Sequence, residues 1–158
     1  MKNLAIIFIL SVSISYSQNY SSNRQIPADS KVITNHTTSI LGKKVSYSAQ
    51  AGTQPVWDSK GNVIATLYYT YYKRTDVDDN SNRPIAFSFN GGPGSASIWM
   101  HLGYTGPYSL IIDDEGYPIQ PYGYKTNPFS ILDVADIVFV NPINVGFSRI
   151  LKDMTKEE

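Results

Sequence analysis

The chain has 158 residues, in which 13 Lys and Arg balance 13 Asp and Glu and no cysteine occurs. A formal charge of zero excludes the basic footprint of a nucleic-acid-binding protein. The missing cysteines exclude a disulfide-stapled or cysteine-lipidated form, and the length suits one domain.

Met1 to Ser17 carries Lys2, an apolar core from Leu4 to Val12, and small residues Ser15 and Ser17 just before Gln18. That layout predicts a secretory signal peptide cleaved after Ser17. The apolar run is well short of the roughly 20 residues a membrane span needs, so no stable membrane anchor is expected. The product is then exported, periplasmic or extracellular, and export without disulfides points to a bacterial type of protein. Gln18 to Leu41 is polar, rich in Ser, Asn and Thr, and without period, which predicts a flexible leader. Asn19-Tyr20-Ser21 and Asn35-His36-Thr37 fit the N-glycosylation pattern, but triplets this short arise by chance and carry no weight.

Val45 to Ala51 and Val63 to Lys73 read as two strands around the turn cluster Asp58-Ser59-Lys60-Gly61-Asn62. The second places Val63, Ala65, Leu67, Tyr69 and Tyr71 on one side and Ile64, Thr66, Tyr68, Thr70 and Tyr72 on the other. Together they predict an antiparallel hairpin leading into a sheet. Its tyrosines fit packing with one edge wet better than a carbohydrate or nucleic-acid platform. Asp76, Asp78 and Asp79 follow in a polar loop. That loop lacks the glycine and distant glutamate of a calcium loop, so no metal is expected.

The stretch from Pro84 to Pro107 organises the rest. Ile85 to Phe89 is a short strand-forming run, Asn90-Gly91-Gly92-Pro93-Gly94 a tight glycine turn, and Ser95 or Ser97 is placed to cap a helix carrying Ile98 and Leu102 on one face. Strand, glycine turn and helix aim unpaired N–H groups and a helix dipole at one point, as sites for a negative oxygen or a phosphate do. No lysine lies in the stretch, which argues against a phosphate loop, and the register Gly92-Pro93-Gly94-Ser95-Ala96-Ser97 ends in serine where a dinucleotide fingerprint needs glycine. A plain Asn90-Gly91 hairpin turn is weakened by the helical pattern after it. The fourth reading is an oxyanion hole of the α/β-hydrolase kind. Farther on, Tyr108 to Ile112 predicts a strand turning at Asp113-Asp114-Glu115-Gly116, Pro118 to Tyr124 an irregular aromatic segment, and Pro128 to Val134 a short helix. Ile137 to Val140 predicts a strand buried on both faces, and Lys152 to Glu158 a polar tail.

Asn90-Gly91-Gly92-Pro93-Gly94-Ser95 resembles the N-G-G-P-G-[CS] signature of the serine carboxypeptidase family. A second block is similar to that family's N-x-x-S…A…P-[VI]-x-x-G-F-S segment: Asn127-Pro128-Phe129-Ser130, then Ala135-Asp136-Ile137-Val138-Phe139-Val140, then Pro142-Ile143-Asn144-Val145-Gly146-Phe147-Ser148. The resemblance runs from Val45 to Arg149. It implies an α/β fold, the N-terminal part of an α/β-hydrolase sheet behind a leading antiparallel β-hairpin. Residues 1–17 would be the signal peptide, 18–41 the leader and 42–158 the truncated hydrolase domain.

The family cleaves the last residue from peptides with a Ser-Asp-His triad and no cofactor. By resemblance, the Gly92 N–H forms half of the oxyanion hole, while Asn90 and the Gly91 N–H hold the terminal carboxylate of a peptide substrate. Gly146, Phe147 and Ser148 shape the wall of the site; read without the family, they are a turn leaving a buried strand. No G-x-S-x-G elbow occurs, and neither His36 nor His101 falls where the family histidine would follow such an elbow; His101 reads instead as a helix-surface or packing residue. The triad is therefore expected in the missing C-terminal portion, and this stretch alone is expected to be inactive. Ser88 stands where the family's W-L-N-G-G-P-G has tryptophan, and Tyr104 where a glutamate commonly precedes L-G-P. These departures leave exopeptidase, endo-acting and acyl-transfer chemistry open. The readings to set beside the peptidase are a short secreted binding module and a decayed gene fragment. A sheet cut after its early strands exposes an apolar edge, so the chain alone is expected to be loosely packed or aggregation-prone.

Overall fold

The computed structural model describes residues 28–79 and 81–151. The expected signal peptide, the first part of the expected leader and the polar tail lie outside the described residues. The remainder of that leader is not a loop. Ser30–Ile40 is a strand, β1, paired antiparallel with β2, Lys43–Trp57, from Ser30↔Thr53 to Ile40↔Lys43. Leu41 and Gly42, both at positive φ, make the two-residue turn whose twist suits a hairpin. The sequence hides β1 for a physical reason: from Lys31 to Thr37 it is exposed, so neither face required apolar residues.

β3, Val63–Arg74, pairs antiparallel with β2 from Tyr47↔Arg74 to Trp57↔Val63, giving the expected hairpin. Asp58 fixes the turn between them, its carboxylate accepting from the N–H groups of Lys60 and Asn62 at 2.9 and 2.8 Å. β4, Ile85–Ser88, follows the polar loop. β5, Tyr108–Leu110, and β6, Tyr124–Thr126, form a separate two-stranded ribbon that takes in the end of the segment read as irregular. β7, Asp136–Val140, enters between β3 and β4, antiparallel to the first and parallel to the second. β8, Arg149–Ile150, pairs with the start of β3. The main sheet thus runs β1-β2-β3-β7-β4, a mixed sheet behind an antiparallel hairpin.

Ile40, Val45, Tyr47, Leu132, Ile137 and Phe139 form the core, with Met100, Tyr108 and Ile131 laid over it. β7 is buried on the side of Ile137 and Phe139, but Val138 and Val140 are only half covered, so burial on both faces is partial. β4 is the sheet's edge, with Phe87 65% exposed, as expected of an unpaired apolar strand.

The helix after the glycine turn is a single wide turn, Trp99–Thr105, closed by the Gly106 N–H on the His101 carbonyl at 3.1 Å. Gly106 permits this closure: a Cβ there would lie 2.2 Å from that carbonyl oxygen. The expected serine cap is absent. The Met100 N–H is held by Asn90 Oδ1 at 3.0 Å, and Ser97 turns its hydroxyl to the Val140 carbonyl. Ile98 is exposed and Leu102 half-buried, so the pair does not form a core face. At the other end, Asn127 Nδ2 donates to the carbonyls of Tyr104 and Gly106, and Ser130 Oγ donates to that of Thr105 at 2.9 Å. These buried groups satisfy carbonyls that the short helix leaves without partners. The Pro128–Val134 segment contains the 3-10 turn Ile131–Asp133, capped by Ser130.

One buried charge cluster ties these pieces together. Asp136, at the start of β7, accepts from Arg83 Nε at 2.8 Å, the Arg74 N–H at 3.0 Å and Tyr71 Oη at 3.2 Å. Arg83 also donates to the carbonyls of Leu132 and Asp133, and Arg74 pairs with Asp133 and Asp76. Removing one member of such a pair leaves an uncompensated buried charge, at a cost of about 3–5 kcal/mol. We therefore expect Arg83→Ala to lower unfolding stability by about 3 kcal/mol, read from the urea midpoint, with Lys44→Ala, at an exposed position, as a near-neutral control.

Candidate functional site

β4 and β7 are parallel, so the loops that follow them leave the same edge of the sheet. In open α/β sheets, ligands settle in a crevice outside the carboxyl ends of the strands. Here those ends carry the glycine turn from Asn90 and the turn from Asn141 to Ser148. Tyr68, paired beside them on β3, completes the group, since Asn141 N–H donates to its carbonyl at 3.0 Å.

The glycine turn is presented outward. Gly91, Gly92, Pro93 and Gly94 are exposed, and Gly92 lies at φ +84 with nothing within 4 Å of where a Cβ would stand. Glycine is needed there for its backbone conformation rather than for room. Among the described residues, no protein acceptor engages the Gly91 or Gly92 N–H. Asn90 is half-buried and anchors the turn: its Oδ1 accepts from Met100, and its Nδ2 reaches Ser95 Oγ at 3.4 Å.

The opposite turn is clamped from behind. Ser148, fully buried, donates to the Asn141 carbonyl at 2.7 Å and accepts the Tyr68 N–H at 2.8 Å. Asn141 Oδ1 in turn accepts the Ser97 N–H at 3.1 Å, which joins the two loops. Gly146, at φ +57, allows this approach, because a Cβ would lie 2.3 Å from Asn141 Nδ2.

Between the loops lies a cleft of about 190 Å³. Gly146 and Phe147 line it, whereas Ser148 is buried behind them and supports the turn from inside. Asn90, Gly91 and Gly92 stand on the adjoining turn and not in the cleft lining. The sequence reading missed Tyr68, Phe139 and above all His101, which it took as a packing or surface residue. His101 packs as expected, stacked on Phe139 at 4.4 Å, but it also faces the cleft. Its Nε2 lies 2.6 Å from Tyr72 Oη. Burial lowers the His101 pKa to about 4 and is the main cause raising that of Tyr72 to about 12, so both are neutral at pH 7. Among the described residues no group of His, Asp and Glu is placed to hold a metal, and no helix is long and apolar enough to cross a membrane.

Residues 41–157 match the family model described as serine carboxypeptidase. Serine carboxypeptidase-like 31 of Arabidopsis thaliana is 30% identical over 110 residues, 66% of this chain and 19% of that protein. Putative serine carboxypeptidase-like 30 of the same plant is 28% identical over 109 residues, again 66% and 19%. The pheromone-processing carboxypeptidase KEX1 of Saccharomyces cerevisiae is 33% identical over 85 residues, 52% of this chain and 11% of that one. The chain therefore spans about a fifth or less of the length of these relatives. The crystal structure of a prohormone-processing carboxypeptidase from S. cerevisiae superposes with a TM-score of 0.50 and 23% identity, covering 70% of this chain and 22% of that one, and it supports the fold.

The buried imidazole has a pH signature. Folded His101 takes up a proton near pH 4, whereas an unfolded histidine does so near 6.5. The unfolded state then binds more protons between those values, so the contribution of this group is complete above about pH 6.5 and is lost as pH falls towards 4. Urea unfolding at pH 7 and 4.5 should show the native chain losing more stability than a His101→Gln variant over the same interval.

Proposed function

Because the chain belongs to the serine carboxypeptidase family, a family of peptide hydrolases, we propose that its glycine turn is the oxyanion- and carboxylate-binding edge of a peptidase site. The observation that carries this reading is the pair of exposed Gly91 and Gly92 N–H groups, unspent on the protein at the carboxyl end of β4. In this reading the Gly92 N–H donates to the tetrahedral oxygen that develops during attack. Such a preset donor acts where charge appears and needs no reorganisation at that moment. The Gly91 N–H and Asn90 Nδ2 hold the terminal carboxylate of the peptide, while Gly146 and Phe147 wall the adjoining cleft and Ser148 braces them.

The substrate class is a peptide with a free C-terminal carboxylate. The nucleophile, its acid and its histidine come from the part of a family member that this stretch does not span. The stretch itself supplies binding and charge stabilisation without the proton-transfer groups that turnover requires. No cofactor is needed for that chemistry. The sequence-level signal peptide, Met1 to Ser17, goes with an exported product.

Asn90 also holds the helix through Oδ1, so its replacement by alanine would disturb both roles. Asn90→Asp keeps the acceptor for Met100 and removes the donor. With the full chain at low density on a sensor surface, N-acetyl dipeptides bearing a free carboxylate should bind more tightly than their C-terminal amides. Asn90→Asp should erase that difference, about tenfold for a charged hydrogen bond. Equal binding of acid and amide to the native chain would overturn the assignment.

A further inference from the structure

We propose that the cleft framed by Tyr68, Phe139, His101 and Phe147 is a recognition pocket for one uncharged side chain, aromatic in preference, of a peptide held at the glycine turn. This extends the carboxylate-binding reading above and rests on it for the identity of the ligand as a peptide. Three observations carry it, the first being size. The cleft holds about 190 Å³, smaller than the roughly 300 Å³ at which pockets for whole small molecules begin. An apolar cavity of about 150 Å³ accommodates a benzene ring, so the space matches a single aromatic side chain.

The second observation is the character of the walls. Phe139 and His101 form a stacked floor with ring planes 18° apart, and Tyr68 and Phe147 form a tilted pair at 5.1 Å. Ala96, Ile98 and Gly146 also line the cleft, together with the uncharged polar residues Thr70, Ser97 and Asn141. Aromatic faces and edges in this arrangement favour another ring beyond simple burial. No Asp, Glu, Lys or Arg lines the cleft, and His101 is neutral there at pH 7. A charged side chain entering would lose water and gain no counter-charge.

The third is placement. The rim residues Ala96 and Ile98 continue directly from the glycine turn, and Asn141 joins that turn to the opposite wall through the Ser97 N–H. A ligand gripped at the turn thus has the cleft within a side chain's reach. Tyr72 Oη faces Nε2 of His101, while Nδ1 has no protein partner among the described residues.

The test uses the full chain and follows the ring protons of His101, one of only two histidines. N-acetyl-phenylalaninamide, which lacks a carboxylate, should shift those signals, and N-acetyl-lysinamide should bind about tenfold more weakly. Phe147→Ala, at an exposed position, and Ala96→Phe, which fills the space, should each abolish the preference. Equal binding of the two amides, unmoved His101 signals, or a preference surviving both variants would overturn the pocket. Should the free acid bind at the glycine turn while His101 stays unmoved, the pocket falls and the carboxylate grip stands. Should the aromatic amide shift His101 while the free acid gains nothing over it, the grip falls and the pocket stands.

Discussion

Arg83 and Asp136 lie almost wholly out of water, with side chains 10% and 5% exposed, and the rest of the architecture is arranged to satisfy them. A buried ion pair is costly unless its remaining donors and acceptors are met. Here Asp136 receives Arg83, the Arg74 N–H and Tyr71, and Arg83 spends its other nitrogens on the carbonyls of Leu132 and Asp133. Four points of the chain are thereby pinned to one place: the end of β3, the entry to β4, the 3-10 turn and the start of β7. A register slip of β7 against β4 would move Asp136 to the other face of the sheet and break every one of these bonds.

With the strand starts fixed, the strand ends are fixed too. β4 and β7 are short, so the distance from the charge cluster to the loops is only a few residues, and two serine hydroxyls relay the constraint. Ser97 bonds the Val140 carbonyl at the end of β7, and Ser148 bonds Asn141 and Tyr68. The glycine turn can then leave its own N–H groups outward because other residues hold it in place. A turn that supported itself with those donors would have none to offer a ligand.

Much of this was legible in the sequence, and the failures have physical reasons. The β2–β3 hairpin, β4, the buried strand β7 and the short helix after Pro128 all follow from turn residues and apolar runs. β1 was illegible because an exposed edge strand does not need alternation. The serine cap failed because the Ser97 hydroxyl found a partner on β7, a long-range contact that no local pattern carries. Asn127, whose amide caps the wide helix, belongs to the motif that also holds Gly146 and Phe147. His101, read as a helix-surface or packing residue, stacks on Phe139, but its place in the cleft depends on β3 and β7 coming together, which spacing along the chain does not encode.

The glycine turn is held as firmly as the sheet to which it is clipped. Amide hydrogen exchange measures this directly. The account predicts that the N–H groups of Ser97 and Met100, bonded to Asn141 and Asn90, exchange within about tenfold of the protected amides of β7, through the same cooperative opening. Exchange at Ser97 and Met100 faster by several orders of magnitude, with β7 still protected, would show a turn that opens on its own and would contradict it.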